Sequence, residues 1–490
     1  MGTIARSSGA EAILLPHRSF TAGGETYLYA SETGGLFRMD DGVRDALSAL
    51  SSDGPGVPGA EAGRDAQGSL ASAAAVSVPA EILSDLRRAG LLGTAGGRTA
   101  DRTAHPSLRL RTLVLMLTTS CNLACRYCYE DREEGCVPPA GAVGAPGEMS
   151  PESLRESVGF LLDHSGENRN VSVVLFGGEP LLRFPTLRTA VHEARAMAEA
   201  RGKEISFSLT TNGTLLTAGI ARFLRENRVS VCVSVDGPRE VHDANRPYVS
   251  GRGSYDDVAR GIAHLMECRS GYPMAARVTL GSGAVDVRST FRHLRGLGFD
   301  EVGFAPASAA EGSRTALTGG ELDAVLDGFR GLAEEYVDDV RERRMPGFSN
   351  MTQVLGLIHR GDPMPYPCGA GIGMLAADPS GVLYPCHRLC GVGDSMGDPS
   401  RGIATDARAR FLDGARRRRE SGCGACWAKN FCAGGCYHDA YLRQGDLFAP
   451  STHYCRWIKE LFLLGLRTYV RIQNETPTFL DAVLGERGIA

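Results

Sequence analysis

The sequence predicts an α/β protein built on an open, partial (β/α)6 barrel. Six short β-rich runs between residues 106 and 310 alternate with stretches long enough for a helix: "LRTLVLML", "VSVVLF", "ISFSLTT", "VSVCVSV", "ARVTL" and "EVGFAP". That is the pattern of repeated β-α units on a parallel sheet, and six strands are fewer than the eight that close a barrel. The second observation is where the unusual residues fall. "TTSCNLACRYC", "GGEP", "TNGT" and "SVDG" follow or end the first four runs, at the strand ends where parallel barrels carry their chemistry.

At 490 residues the chain exceeds one ordinary core, so two or three domains are expected. Hydrophobic content of 43%, charged content of 22% and a formal net charge of −4 describe a soluble globular protein with no general basic field for nucleic acid. The one basic run, "RRRR" at 416–419, continues a helical pattern and reads as a solvated helix face. No apolar stretch approaches the ~20 residues of a membrane span. The N-terminal "MGTIARSSGAEAILLP" lacks the apolar region of a secretion signal, so a cytoplasmic location is expected.

Ahead of the barrel, residues 1–105 hold the strand-like "RSFTAGG", "ETYLYAS" and "GLFRMD", then a helical "DGVRDALSAL". A Gly/Ala/Ser-rich stretch over 51–78 reads as a flexible loop. "VPAEILSDLRRAGLLG" after it is an amphipathic helix with Pro near its start and Gly at its end. Beyond the barrel, the expected divisions are a helical connector over 311–365, a cysteine-rich domain over 366–465 and a tail over 466–490.

Fourteen cysteines in a reducing compartment point to metal binding or catalysis rather than disulfides. Cys136, Cys232, Cys268 and Cys390 are scattered and read as small buried hydrophobes. Cys121, Cys125 and Cys128 stand at C-x3-C-x2-C spacing after the first strand. A structural zinc site is normally closed by four protein ligands, whereas a [4Fe–4S] cluster on three thiolates keeps one iron free. Here the residues resemble the radical S-adenosylmethionine (SAM) enzymes, whose motif is this spacing with an aromatic residue before the last cysteine, here Tyr127. The resemblance implies that the free iron chelates SAM and that reductive cleavage gives a 5′-deoxyadenosyl radical that abstracts hydrogen from a substrate. It also implies SAM contacts from Gly177, Gly178 and Glu179 of "GGEP", Asn212 of "TNG", Ser234 and Asp236 of "SVDG", and the arginines Arg246 and Arg277.

A second constellation lies near the C-terminus. Cys368 and Cys386 flank Gly381, Cys423, Cys426, Cys432 and Cys436 follow at C-x2-C-x5-C-x3-C, and Cys455 stands alone. These seven resemble the SPASM extension of radical SAM enzymes, which implies two auxiliary [4Fe–4S] clusters and three clusters in all. In the family pattern Cys423, Cys426, Cys432 and Cys455 close one, while Cys368, Cys386 and Cys436 hold the other. The eighth ligand is left open between Cys390, His387 and a substrate thiolate.

The N-terminal segment resembles the winged-helix modules that bind the leader of a ribosomally made precursor peptide. The family reading is therefore a radical SAM/SPASM peptide maturase that installs a thioether or C–C crosslink. It would take a leader-bearing precursor peptide as substrate and draw electrons from a donor such as flavodoxin or ferredoxin, with neither nucleic acid nor membrane as partner. An alternative enzyme reading is oxidation of Cys or Ser to formylglycine, as in anaerobic sulfatase maturases. Those enzymes carry Asp as a base directly after the cysteine matched by Cys386, where this chain has His387, a residue able to accept a proton. A non-catalytic electron-transfer or zinc scaffold is the alternative from another class.

Overall fold

The computed structural model describes residues 3–7, 10–50, 78–94, 105–129, 147–269, 273–283, 286–361 and 364–485. All but the last position of the expected loop over 51–78, and Cys136, lie outside them. The first strands are β1 (Thr3–Ser7), β2 (Ala10–Leu14), β3 (His17–Ala22), β4 (Glu25–Ala30) and β5 (Gly35–Arg38). After helices Asp41–Leu50 and Ala80–Arg88 comes β6 (Leu92–Thr94). β3, β4 and β5 form one antiparallel sheet, and β1, β2 and β6 form another. Leu28, Leu47, Leu50, Leu86 and Leu91 close a small core between strands and helices, because each helix turns one apolar stripe inward.

The central sheet contains the six expected strands, β7 (Thr112–Met116), β8 (Asn170–Phe176), β9 (Glu204–Thr211), β10 (Val229–Ser234), β11 (Ala275–Leu280) and β12 (Glu301–Pro306). All run parallel, in the order β12-β11-β10-β9-β8-β7. Alternation sets their two faces. In β11, Ala276, Val278 and Leu280 are buried in the core, while Ala275, Arg277 and Thr279 take the opposite face. Capping side chains start the crossover helices: Ser150 accepts from the Ser153 backbone N–H, Thr217 from that of Ile220 and Asp286 from that of Ser289.

The sheet continues past the barrel. β13 (Met374–Ala377) lies parallel to β7, and β14 (Leu383–Tyr384), β15 (Gly397–Asp398) and β16 (Gly402–Ile403) follow as antiparallel strands. This extension sets Cys368 and Cys386 on either side of the β13-β14 hairpin, beside the strand that leads into the first cysteine loop.

Helix Cys455–Glu475 spans position 465. Leu466, Tyr469, Val470 and Ile472 of its second half are buried, and it packs along helix Gly319–Arg341, where Trp457 meets Phe329. The β3-β4-β5 sheet also docks on it, with the Tyr29 ring edge-on to Phe462 at 5.1 Å. Glu32 and Lys429 form an ion pair of 2.6 Å at the same seam.

The basic run departs from expectation. Arg417 is exposed, but Arg418 is buried, stacked over Tyr437 and donating to the carbonyls of Gly434, Gly435 and Leu447. Ala433, Gly434 and Gly435 all have positive φ, so this turn cannot satisfy its own carbonyls by helix or ladder bonds. A guanidinium with five donors supplies them instead. Among the described residues, no helix is long and apolar enough to cross a membrane.

Candidate functional site

Four strand ends converge on the first cysteine loop. The N–H of Gly178 donates to the carbonyl of Thr118, and that of Glu179 to the carbonyl of Ser120, each at 2.9 Å. Glycine is required there. A Cβ on Gly177 would stand 2.3 Å from the Thr118 oxygen, and one on Gly178 the same distance from that of Ser120. "GGEP" is thus the floor on which the loop bearing Cys121 rests.

Glu179 is fully buried. Its Oε1 accepts from the Leu181 N–H and the Thr211 hydroxyl, and its Oε2 from the Asn212 N–H at 2.7 Å. Burial pushes its carboxyl up to about 7, against these three hydrogen bonds, which favour the ionised form. Asn212 also reaches the loop directly, its Nδ2 lying 2.8 Å from Asn122 Oδ1 and 3.8 Å from Cys121 Sγ.

Asp236 and Arg246 make a buried pair with Nε to Oδ2 at 3.1 Å. Asp236 also accepts from the Tyr127 hydroxyl and the Thr279 N–H, so it is engaged within the protein. The Arg246 guanidinium stacks over Tyr127 at 5.2 Å and brings Nη1 to 4.0 Å from Cys125 Sγ. N–H donors facing the sulfurs of Cys121 and Cys125 suit thiolates that carry a cluster. Ser234 lies in register with Arg277 on the next strand. Arg277 is exposed on the same face of β11 as Thr279 and forms no hydrogen bond or ion pair with the Asp236–Arg246 pair.

The seven C-terminal cysteines fall into two groups. Cys455 is an electrostatic neighbour of Cys423 and Cys432, which also feel Cys426. Cys386 feels Cys436 and Cys368. Among the described residues, no three His, Cys, Asp or Glu side chains are placed to hold a single metal ion. The chemistry of the donor set, grouped thiols rather than mixed nitrogen and oxygen, fits iron–sulfur clusters. Cys390 ends the short helix His387–Leu389, with its Sγ turned toward the Cys386 carbonyl at 4.0 Å.

His387 faces the barrel mouth, its ring 4.5 Å from that of Phe176 at the end of β8 and 6.3 Å from Tyr129. Two residues escaped the sequence reading. His438, two positions after Cys436, has its ring 5.5 Å from Tyr129, and Arg388 stacks over the same tyrosine at 4.8 Å while donating to Ser308 Oγ at 2.6 Å. The Nδ1 atoms of both histidines are buried without a hydrogen-bond partner. Their only sequence signal was adjacency to the cysteines, which does not reveal a direction.

Residues 115–286 match the Radical SAM superfamily. The chain carries a radical SAM domain. The match spans the first cysteine loop and all four strand ends of this site. The chain is 24% identical over 380 residues to a serine-type anaerobic sulfatase-maturating enzyme of Klebsiella aerogenes, covering 75% of this chain and 88% of that protein. In fold it is similar to anSMEcpe with bound AdoMet and Cp18Cys peptide, with a TM-score of 0.62 at 20% identity over 74% of this chain and 98% of the other. It is also similar to Streptococcus suis SuiB bound to precursor peptide SuiA, with a TM-score of 0.50 at 14% identity over 90% and 99%.

Proposed function

We propose that this radical SAM enzyme oxidises one residue within a peptide or protein chain, removing a hydrogen atom, a proton and an electron from it. The observation that carries the reading is the convergence of the three loop cysteines with buried Glu179, Asn212 and the Asp236–Arg246 pair at four strand ends. Cys121, Cys125 and Cys128 would hold the SAM-binding cluster. The two C-terminal groups would hold auxiliary clusters, so that residues 106–310 and 366–465 are the working parts. When bound, SAM and the clusters supply the hydrogen-abstracting radical and the outlet for the electron. The chain's own residues orient and exclude: Glu179 offers a carboxylate to the SAM ammonium, and Gly177 and Gly178 allow close backbone approach. His387, whose Nδ1 has no partner near the end of β8, would be the proton acceptor in this reading, against burial and the neighbouring Arg388, which push its pKa down to about 3.

Of the two products, formylglycine from Cys or Ser is the better supported, because well-covered relatives include sulfatase-maturating enzymes. The crosslink favoured by the sequence reading becomes the second reading. It is supported by the β3-β4-β5 sheet docked against the cysteine-rich region, whose free edge would be where a leader pairs. The reconstituted, reduced protein should form 5′-deoxyadenosine and convert the Cp18Cys peptide to a hydrazide-reactive carbonyl. If 5′-deoxyadenosine forms but the peptide gains no carbonyl, formylglycine formation is wrong for this chain. Absence of 5′-deoxyadenosine would remove the radical reading itself.

A further inference from the structure

The first cysteine loop rests on the segment around Arg246. Between its cysteines, the N–H of Ala124 donates to the Pro247 carbonyl at 2.9 Å and that of Arg126 to the Asn245 carbonyl at 3.0 Å. The Asn122 carbonyl accepts from the Val249 N–H at 3.3 Å, and Leu123 bridges to Tyr248. Two of the carbonyls that hold the loop therefore flank Arg246, whose side chain meets Asp236, Tyr127 and Cys125. Whatever fixes this segment also fixes the loop.

One imidazole does so. His242 lies fully buried in helix Arg239–Asn245. Its Nδ1 accepts the Asp236 N–H at 3.3 Å, its Nε2 lies 3.0 Å from Ser254 Oγ, and Ser254, also fully buried, donates to the Arg246 carbonyl at 2.6 Å. The His242 carbonyl takes the Arg246 N–H at 2.8 Å. The direction of each bond follows. Nδ1 can only accept from a backbone N–H, and the Ser254 hydroxyl has given its hydrogen to a carbonyl, so Nε2 carries the proton and donates. Asp236, His242, Ser254 and Arg246 thus form a closed ring, completed by the Arg246 side chain on the Asp236 carboxylate at 3.1 Å. The ring requires a neutral imidazole. Burial and Arg246 push its pKa down to about 4, against the pull of Asp236 and Asp243.

We propose that His242 is a positioning residue of the SAM-binding site: it locks the backbone of Asp236 and Arg246, and through them sets the guanidinium, the Tyr127 phenol and the cysteine loop in the geometry that receives SAM. This rests on the reading of that loop as the holder of the SAM-binding cluster. The role differs from packing in what it needs. A filler needs only volume, whereas this role needs an acceptor aimed at the Asp236 N–H and a link to Ser254.

The test compares three variants of the reconstituted full-length protein. His242→Asn keeps an acceptor for the Asp236 N–H but gives up the reach to Ser254, His242→Leu keeps volume without an acceptor, and Ser254→Ala breaks only the link to the Arg246 carbonyl. The readouts are SAM affinity, the change that SAM causes in the electron paramagnetic resonance spectrum of the reduced protein, and iron per chain. His242→Leu should bind SAM about 10–100-fold more weakly and lose the SAM-induced spectral change, while its C-terminal groups keep about eight Fe. His242→Asn should recover most of both, and Ser254→Ala should lie between. Wild-type SAM affinity in His242→Leu overturns the proposal, and so do equal losses in the Asn and Leu variants, which would make volume the only requirement. If His242→Leu fails to fold, seen as loss of the C-terminal iron as well, Ser254→Ala decides, and wild-type affinity there overturns the proposal. A wild type that forms no 5′-deoxyadenosine would strike the reading of the site and the proposal with it, whereas an active wild type matched by its variants strikes the proposal alone.

Discussion

Glu179 is a carboxyl held in the core by three donors, and its raised value of about 7 has two consequences. The fold holds its proton more tightly than the unfolded chain does. The apo protein therefore loses stability as pH rises from about 4.5 to about 7 and no further above that. The SAM ammonium, by contrast, needs the ionised form. SAM affinity should be about tenfold weaker at pH 6 than at pH 8, and a flat calorimetric profile between those values would show that Glu179 does not meet the ammonium as a carboxylate. Gly178 makes a second residue-scale prediction. Alanine there must push a Cβ into the Ser120 carbonyl, 2.3 Å away, at a cost of about 1–3 kcal/mol. Gly178→Ala should lose SAM cleavage while retaining C-terminal iron, measured as 5′-deoxyadenosine formed and iron bound per chain.

At the scale of elements, the turn between Cys432 and Cys436 depends on a side chain from another helix. Arg418 of helix Thr405–Ser421 supplies donors to three carbonyls, two of them in that turn. Arg418→Met keeps the packing over Tyr437 but leaves those acceptors unsatisfied, at about 1–3 kcal/mol each. We expect it to lower the melting temperature and to strip iron from the C-terminal groups while sparing the Cys121 loop. Iron retention equal to wild type would mean that the turn is held by its cysteines alone. The β3-β4-β5 sheet is likewise docked, through Tyr29 on Phe462 and Glu32 on Lys429. Deletion of residues 1–100 should weaken precursor binding and spare uncoupled SAM cleavage. Equal affinity of truncated and full-length protein for the precursor would leave these sheets a structural cap.

For the whole molecule, the ten-stranded sheet brings two of the three thiol groups to neighbouring strands: the first loop follows β7, and β13, which Cys368 and Cys386 flank, pairs with that same strand. Three [4Fe–4S] clusters predict about 12 Fe per chain, and Cys121→Ala, Cys125→Ala and Cys128→Ala together should leave about eight. A triple variant that still forms 5′-deoxyadenosine would sink the assignment of that loop.

The strand runs, the cysteine spacings and the glycines of "GGEP" were legible in the sequence because each acts through local geometry. Alternation marks a pleat, spacing marks a loop, and a missing side chain marks a close approach. The grouping of the C-terminal cysteines came from resemblance to a family pattern and not from spacing itself. What only the tertiary structure decided is direction over long range. "RRRR" looks the same whether Arg418 points to water or to a turn that follows it in sequence. Nothing near Glu32 in sequence says that its ion-pair partner is Lys429, almost four hundred residues away. Local pattern fixes which face a residue takes on its own element, whereas the partner across the gap is set by how elements pack.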